Sequence, residues 1–325
     1  MSAGGEEKAV FHALKADAEK SLPKIAEKHA GLVDSAVEKG TRNLADHAAN
    51  EQELADAFRS KMPKDDPLTA PKPSAPGTSR ISQALDSGSE APQLGRDALH
   101  DSPDFNTQID QELNARGLDR TEHDRLRTTP TNDLTDEQIQ QVVDVRNSIK
   151  IDEGQVITKV LTPDIAKSYL ENAEKLPNGA PFKPGEFGGS IARGTDTAGL
   201  TTPSDLRDAL ALDDGGAGWT PIPEGAKDAY QLRLQAPGDL RASTTFGAVD
   251  DPVAAQHVAD LAGASTGRPW NAPFTGTGYT GGGIPEWAAE ATRFPQRAEI
   301  WKMTSDGRET LAGYFDQGRW TSIDG

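Results

Sequence analysis

Three short segments in the second half of the chain carry side chains that could act together on one substrate. The segments are Gly189–Gly194, Ala242–Phe246 and Gly281–Trp287. Arg193 can pair with a phosphate group through two parallel hydrogen bonds, which a lysine cannot do. Ser243 and Thr244 offer hydroxyl groups, and Glu286, which follows three glycines, can stabilise a positive charge that develops in a reaction. These residue types predict a site for a phosphorylated substrate.

The residue types that the chain lacks limit the reactions that it could catalyse. The chain has no cysteine, which excludes disulfides, thiolate metal sites and cysteine nucleophiles. His257 is the only histidine after residue 123, so the second half cannot supply a histidine pair for ribonuclease chemistry or a histidine-rich metal site. A Gly-x-x-x-x-Gly-Lys phosphate loop is also absent from the sequence. We therefore expect chemistry that uses arginine, hydroxyl and carboxylate groups without a metal.

The order of the three segments resembles that of ADP-ribosyltransferases, in which an arginine ending a strand, a Ser-Thr-Ser strand and a glutamate after a loop follow one another. Ser243 lies 50 residues after Arg193, and Glu286 lies 43 residues after Ser243. The resemblance is confined to these motifs and covers about the last 150 residues. It implies an ADP-ribosyltransferase-like, twisted antiparallel β core that binds NAD as substrate and breaks its nicotinamide–ribose bond.

The resemblance also implies a role for each residue. Arg193 would bind the phosphates of NAD, Ser243 and Thr244 would shape the nicotinamide pocket, and Glu286 would stabilise the ribosyl cation. Nicotinamide is already a cationic leaving group, so an oxocarbenium-like transition state needs no general acid to expel it. Further expected contacts with NAD are Gly282 in the loop and one stacking aromatic residue among Phe246, Tyr279 and Trp287.

One position departs from the transferase pattern. Transferring enzymes usually carry Gln or Glu two positions before the catalytic glutamate, and this chain has Ile284 there. The departure favours hydrolysis of NAD, or transfer to an unusual acceptor, over transfer to a protein side chain.

A second family is similar at other positions. Necrotizing-toxin-type NAD glycohydrolases combine an arginine, a Gly-aromatic-Leu-Ser-Pro-like turn, an arginine followed by a leucine, and later Ala-Pro and triple-glycine segments. The corresponding residues here are Arg193, Gly199–Pro203, Arg207, Leu210, Ala272–Phe274 and Gly281–Gly283. Leu200 stands where that family has an aromatic residue, and Pro285-Glu286 stands where it has a glutamine. Both resemblances imply NAD as the substrate.

The charge of the chain argues against two kinds of partner surface. With a net charge of −17, overall attraction to nucleic-acid phosphates or to anionic lipids is not expected. The sequence contains no run of about 18 apolar residues, so it predicts no membrane-spanning helix. The first residues lack the basic and apolar regions of a signal peptide. We expect secretion through a specialised export system without a cleavable signal peptide, or otherwise a cytoplasmic protein.

The N-terminal part predicts a separate helical module. Apolar residues recur at roughly helical spacing from about residue 5 to 62, which predicts a helical hairpin over 1–62 for export or docking. It resembles the small helical-hairpin substrates of type VII secretion, although it lacks their Trp-x-Gly turn. An exposed coiled segment with no export role is the alternative. Residues 63–95 are rich in Pro and Ser and predict a linker.

The rest of the chain predicts an α+β fold. Thr135 with Gln138 forms a capping box ahead of an apolar helix, and similar patterns assign 96–175 to a helical support segment. Beyond it, alternating apolar residues and an Asp306-Gly307 turn predict antiparallel strands with short helices between them. We therefore assign 176–325 to an NAD-consuming catalytic domain.

Together these features predict a secreted, toxin-like effector that cleaves NAD by transfer or hydrolysis. The expected partners are NAD, an immunity protein or secretion chaperone, and, for transfer, a macromolecular ADP-ribose acceptor. The alternative is a non-enzymatic secreted or phage-type structural protein that binds a partner through its C-terminal unit.

Overall fold

The computed structural model describes residues 92–213 and 220–323. The predicted helical hairpin and most of the predicted linker lie outside these ranges. The chain divides into two units, Met1–Ala75 and Pro76–Gly325, and all described residues belong to the second. Helices and antiparallel strands share one core in this unit, so it is α+β as predicted.

Within the described residues, eight strands form one antiparallel sheet. They are β1 (Val156–Leu161), β2 (Glu186–Arg193), β3 (Asp228–Gln235), β4 (Ala242–Thr244), β5 (Trp287–Arg293), β6 (Glu299–Thr304), β7 (Glu309–Asp316) and β8 (Arg319–Ser322). Their spatial order is β4-β5-β2-β1-β3-β6-β7-β8. β1 pairs with β3 along its whole length but with β2 at only two positions. This short seam divides the sheet into a three-stranded half (β4, β5, β2) and a five-stranded half (β1, β3, β6, β7, β8).

Seven α-helices accompany the sheet within the described ranges. They are α1 (Phe105–Arg116), α2 (Arg120–Arg127), α3 (Asp136–Arg146), α4 (Pro163–Leu170), α5 (Gly194–Thr197), α6 (Pro203–Ala209) and α7 (Pro252–Leu261). The predicted capping box of Thr135 and Gln138 is confirmed at the start of α3. α4, α6 and α7 each begin with a proline. Proline suits this position because a backbone amide in the first turn has no hydrogen-bond acceptor within the helix. None of the helices described is long and apolar enough to cross a membrane.

The segments assigned separately to helical support and to catalysis form one structure. β1 lies in the middle of the sheet, and apolar residues of α1 and α3 belong to the same buried cluster as residues of β2 and β5. The predicted boundary between residues 175 and 176 therefore falls inside a single unit and is corrected. The sequence signal for β1 is its run of β-branched residues, which favour a pleated strand.

The β6–β7 connection follows its sequence prediction. Gly307 adopts a φ of +79°, which a residue with a side chain rarely adopts, and the Thr304 amide donates to the Arg308 carbonyl at 3.0 Å. The predicted Asp-Gly hairpin is thus confirmed.

Candidate functional site

Glu286 lies immediately before β5 and is half-buried as a residue, and its carboxylate lies among polar groups from four segments. Thr245 Oγ1 donates a hydrogen bond to Glu286 Oε2 at 3.1 Å. The hydroxyl of Ser190 donates a second hydrogen bond to this carboxylate, and the positive charges of Arg268 and Lys159 act on it. These five residues define the Glu286 site.

The register of the three-stranded half explains how distant residues meet here. Ser190 of β2 and Ser243 of β4 both pair with Ala288 of β5, so the two serines lie in one row across the strands. Side chains alternate along a strand, so Glu286 shares the face of Ala288 and of both serines. Arg268 Nη2 donates to Ser243 Oγ at 2.6 Å, which connects this predicted residue to the site.

Lys159 enters the site from β1, across the seam of the sheet. Its Nζ lies 3.4 Å from the carbonyl oxygen of Ser190. Gly189 has a φ of +79°, and a Cβ at this position would come within 3.1 Å of Lys159 Nζ. The glycine thus leaves room for the lysine head group. Lys159 was not among the predicted site residues, because residues 96–175 were predicted to be helical.

The electrostatics of the site favour a carboxylate that titrates above its usual range. Burial raises the pKa of the Glu286 carboxyl. Hydrogen bonds from Ser190 and Thr245 and the charges of Arg268 and Lys159 lower that pKa, but they only partly offset burial. The ionised form of Glu286 would have part of its hydration removed, which strengthens its interaction with a nearby positive charge.

The glycine-rich loop before Glu286 is fixed by internal contacts. The Thr280 amide donates to the Ile284 carbonyl at 2.8 Å, and the Gly283 amide donates to the Thr280 carbonyl at 2.8 Å. A Cβ at Gly282 would lie 2.3 Å from the carbonyl oxygen of Ala209 at the end of α6. Close packing on α6 therefore requires glycine at position 282, whether or not this residue also contacts a substrate.

The structure does not bring Arg193 into the site. Its guanidinium is buried and forms a bidentate ion pair with Asp196, with Nε and Nη2 at 2.7 and 2.8 Å from the carboxylate oxygens. Arg193 Nη1 donates to Gln108 Oε1 at 2.8 Å, and Asp196 also accepts from the Phe105 amide at 2.8 Å. The predicted phosphate-binding role is corrected, because these contacts attach α1 to the end of β2 and use the donors that a phosphate would need.

Other sequence-predicted residues lie on the wrong side of the strands or inside the core. Thr244 pairs with Trp287, one position from the Ser243 row, so it lies on the opposite face and does not shape the pocket with Ser243. Phe246, Tyr279 and Trp287 are all buried, so none presents a free ring for stacking on nicotinamide. The aromatic residue beside the site is Trp270, whose ring centroid lies 5.1 Å from the Arg268 guanidinium carbon. No sequence signal singled out Arg268, Thr245 or Ser190.

The residues that carry the resemblance to NAD glycohydrolases are likewise dispersed. Arg207 lies on α6 and contacts Asp208 at 3.3 Å, whereas the triple glycine borders the Glu286 site. Within the described ranges, no group of three or more His, Asp or Glu side chains is arranged to hold a metal ion.

Comparison of the chain with protein-family models, curated proteins and solved structures gives no significant match. Function must therefore be inferred from the side chains around Glu286.

Proposed function

We propose that this chain cleaves the nicotinamide–ribose bond of NAD and that Glu286 is the catalytic carboxylate. The observation that carries the proposal is the convergence of hydroxyl groups and two cations on the Glu286 carboxylate just before β5. Sugar transfer with an oxocarbenium-like transition state requires such a carboxylate next to the anomeric carbon. Binding of the NAD diphosphate requires nearby positively charged side chains, which Lys159 and Arg268 supply.

In this reaction the bond between the nicotinamide nitrogen and ribose C1′ breaks, and its electron pair leaves with the nicotinamide, which becomes neutral. Positive charge then develops on C1′ and the ring oxygen. Glu286 stabilises this charge and accepts a hydrogen bond from the 2′-hydroxyl. Lys159 and Arg268 pair with the diphosphate, and Ser190 and Thr245 hold the carboxylate in place.

We propose water as the acceptor. Ile284, two positions before Glu286, is buried in the core cluster and offers no polar group to an incoming side chain. Water adds to C1′ and releases a proton to solvent, so the products are nicotinamide, ADP-ribose and a proton. Transfer to a macromolecule would require recognition by another part of the surface.

The test is nicotinamide release from NAD by the full-length chain, followed by proton NMR. We expect Glu286→Gln to lower the rate by about 10²- to 10³-fold, the usual cost of losing one electrostatic contact to a transition state. Glu290→Gln is the matched control, because Glu290 is an exposed acid on the same strand. It should leave the rate unchanged.

Two results would reject the proposal. One is equal nicotinamide release by Glu286→Gln and the wild-type chain. The other is no release by folded wild-type chain at millimolar NAD, which would favour the alternative of a structural or interaction protein. Free ADP-ribose as the sole second product supports water as acceptor, whereas mass added to a protein supports transfer.

Depletion of NAD would harm a cell, so we also propose a toxin-like effector role. Expression of the wild-type chain inside bacteria should lower cellular NAD and growth, and Glu286→Gln should abolish both effects. A neutralising immunity protein is expected to cover the Glu286 site.

A further inference from the structure

Arg146, the last residue of α3, lies fully buried beneath the Glu286 site. Its Nε donates to the Gly278 carbonyl at 2.7 Å, and its Nη2 donates to the Glu286 carbonyl at 2.9 Å. Its Nη1 donates to the Ile149 carbonyl at 3.1 Å. The described hydrogen bonds of this guanidinium thus all go to backbone carbonyls.

The guanidinium is also stacked against aromatic rings. Its central carbon lies 4.1 Å from the ring centroid of Trp287, the residue after Glu286, and 5.5 Å from that of Tyr279. The Glu286 amide in turn donates to the Gly278 carbonyl at 3.0 Å. Arg146 therefore holds the two residues where the chain enters and leaves the glycine-rich loop.

A neighbouring arginine supports the same loop from α2. Arg127 donates through Nη1 to the Gly283 carbonyl, and its guanidinium carbon lies 5.3 Å from the Tyr279 ring centroid. Arg127 differs from Arg146 because it also forms an ion pair with Asp124 at 2.7 Å.

Burying a cation without a hydrogen-bonded carboxylate costs free energy of folding, because carbonyl dipoles only partly offset the desolvation of the charge. Burial lowers the pKa of Arg146 to about 10, so the group stays charged at neutral pH. The fork of a guanidinium can, however, bond several carbonyls at fixed angles, which no apolar side chain can do.

We propose that Arg146 is a positioning residue, which fixes the backbone of Gly278 and Glu286 and thereby sets the Glu286 carboxylate against Ser190 and Lys159. The kinetic part of this inference rests on the proposed function, whereas its structural part does not.

The test uses the full-length chain with Arg146→Lys, which keeps the charge but cannot bond three carbonyls. We expect kcat for nicotinamide release to fall by about 10- to 100-fold, as small misplacements of a catalytic group do, while KM changes less than about threefold. Hydrogen exchange of the Glu286 amide should become at least about tenfold faster, because its partner Gly278 is no longer held.

Arg233→Lys is the matched control. Arg233 is a second fully buried arginine stacked on a tryptophan, but it lies in the five-stranded half. It should lower stability without changing kcat or the exchange of the Glu286 amide. Trp287→Phe provides a second variant, with a smaller change in the same direction as Arg146→Lys.

Unchanged kcat and unchanged Glu286 exchange in folded Arg146→Lys would overturn the inference. Should the wild-type chain release no nicotinamide, the exchange measurement still decides. Faster exchange in Arg146→Lys alone supports positioning of Glu286, and equal exchange in both arginine variants rejects it.

Discussion

In the part of the chain that the structure describes, two fully buried arginines each stack on a tryptophan, and their hydrogen-bond partners differ. In the three-stranded half, Arg146 lies 4.1 Å from the Trp287 ring centroid and donates to carbonyls. In the five-stranded half, Arg233 lies 4.9 Å from the Trp301 ring centroid and donates to the Glu309 carboxylate at 2.5 Å. The same pair of residue types is thus embedded in two different electrostatic settings.

The five-stranded half contains a closed network. Glu299 is fully buried and accepts hydrogen bonds from the amides of Gln93 and Leu94 at 2.9 and 2.8 Å. It also accepts from Arg297 at 2.9 Å and from the Trp301 indole at 3.0 Å. Each lone pair of this carboxylate has a partner within the protein. The network therefore fixes the segment at Gln93 and Leu94 and leaves no free acceptor for a ligand.

The three-stranded half is open by contrast. Ser190 and Ser243 are exposed, and the residue Glu286 is half-buried, so solvent or a ligand can reach the surface beside it. A structural carboxylate such as Glu299 therefore differs from a candidate catalytic one such as Glu286 in whether all its lone pairs have partners within the protein. Burial and residue type distinguish the two less well. Substitutions confined to one half therefore test this difference.

The largest effect is expected from Glu299→Gln in the closed network. The substitution breaks the buried ion pair between Glu299 and Arg297, and breaking such a pair typically costs about 3–5 kcal/mol of unfolding free energy. Urea unfolding followed by tryptophan fluorescence measures this, because all five tryptophans lie beyond residue 210 and report the second unit. The folded fraction should release nicotinamide at the wild-type rate; loss of kcat per folded molecule would mean that the two halves are coupled.

A second large effect concerns His123, which is buried beneath the open half against Tyr279 and has no described hydrogen-bond partner on either ring nitrogen. Burial lowers the pKa of His123 from 6.5 to about 4. Its contribution to stability is fully present above pH 6.5 and is lost as the pH falls towards 4, because only the unfolded chain then binds the proton. A shift of this size corresponds to about 3 kcal/mol.

His123→Leu should remove this part of the acid dependence. The variant needs no new hydrogen bonds, so its stability at pH 7 should be similar to or above that of the wild-type chain. Urea midpoints measured between pH 4 and 7 test the expectation. A variant that loses as much stability as the wild-type chain over this interval would show that other groups cause the acid sensitivity.

Local signals in the sequence predicted much of the fold. The Thr135 capping box and the Asp306-Gly307 turn depend on residues within a few positions of one another, and both are confirmed. β4 and the place of Glu286 after its loop also follow from short segments. Sequence patterns of this kind carry little information about which strands become neighbours.

The parts of the site that could not be predicted depend on that pairing. Lys159 reaches the site only because β1 lies next to β2 at the seam, and the segment around it is flanked by helices in sequence. The face of Ser243 and of Thr244 is decided by the register of β4 against β5. Arg193 resembled a phosphate ligand, yet Asp196, three residues later, turns back to pair with it once the chain folds.

The smallest expected effect compares Glu286 with Glu299. Replacement by glutamine should raise stability at Glu286 and lower it at Glu299. Burial raises the pKa of Glu286, so its contribution to stability is present below about pH 4.5 and is lost as the pH rises through the folded-state pKa. Glu286→Gln removes this charge and keeps an oxygen that can accept from Thr245. We expect the Tm at pH 7 to be higher than that of the wild-type chain, because the variant no longer has a charge to desolvate. The gain should disappear near pH 4. A lower Tm for Glu286→Gln at pH 7 would mean that attraction to Lys159 and Arg268 outweighs desolvation, and the open half would then resemble the closed one.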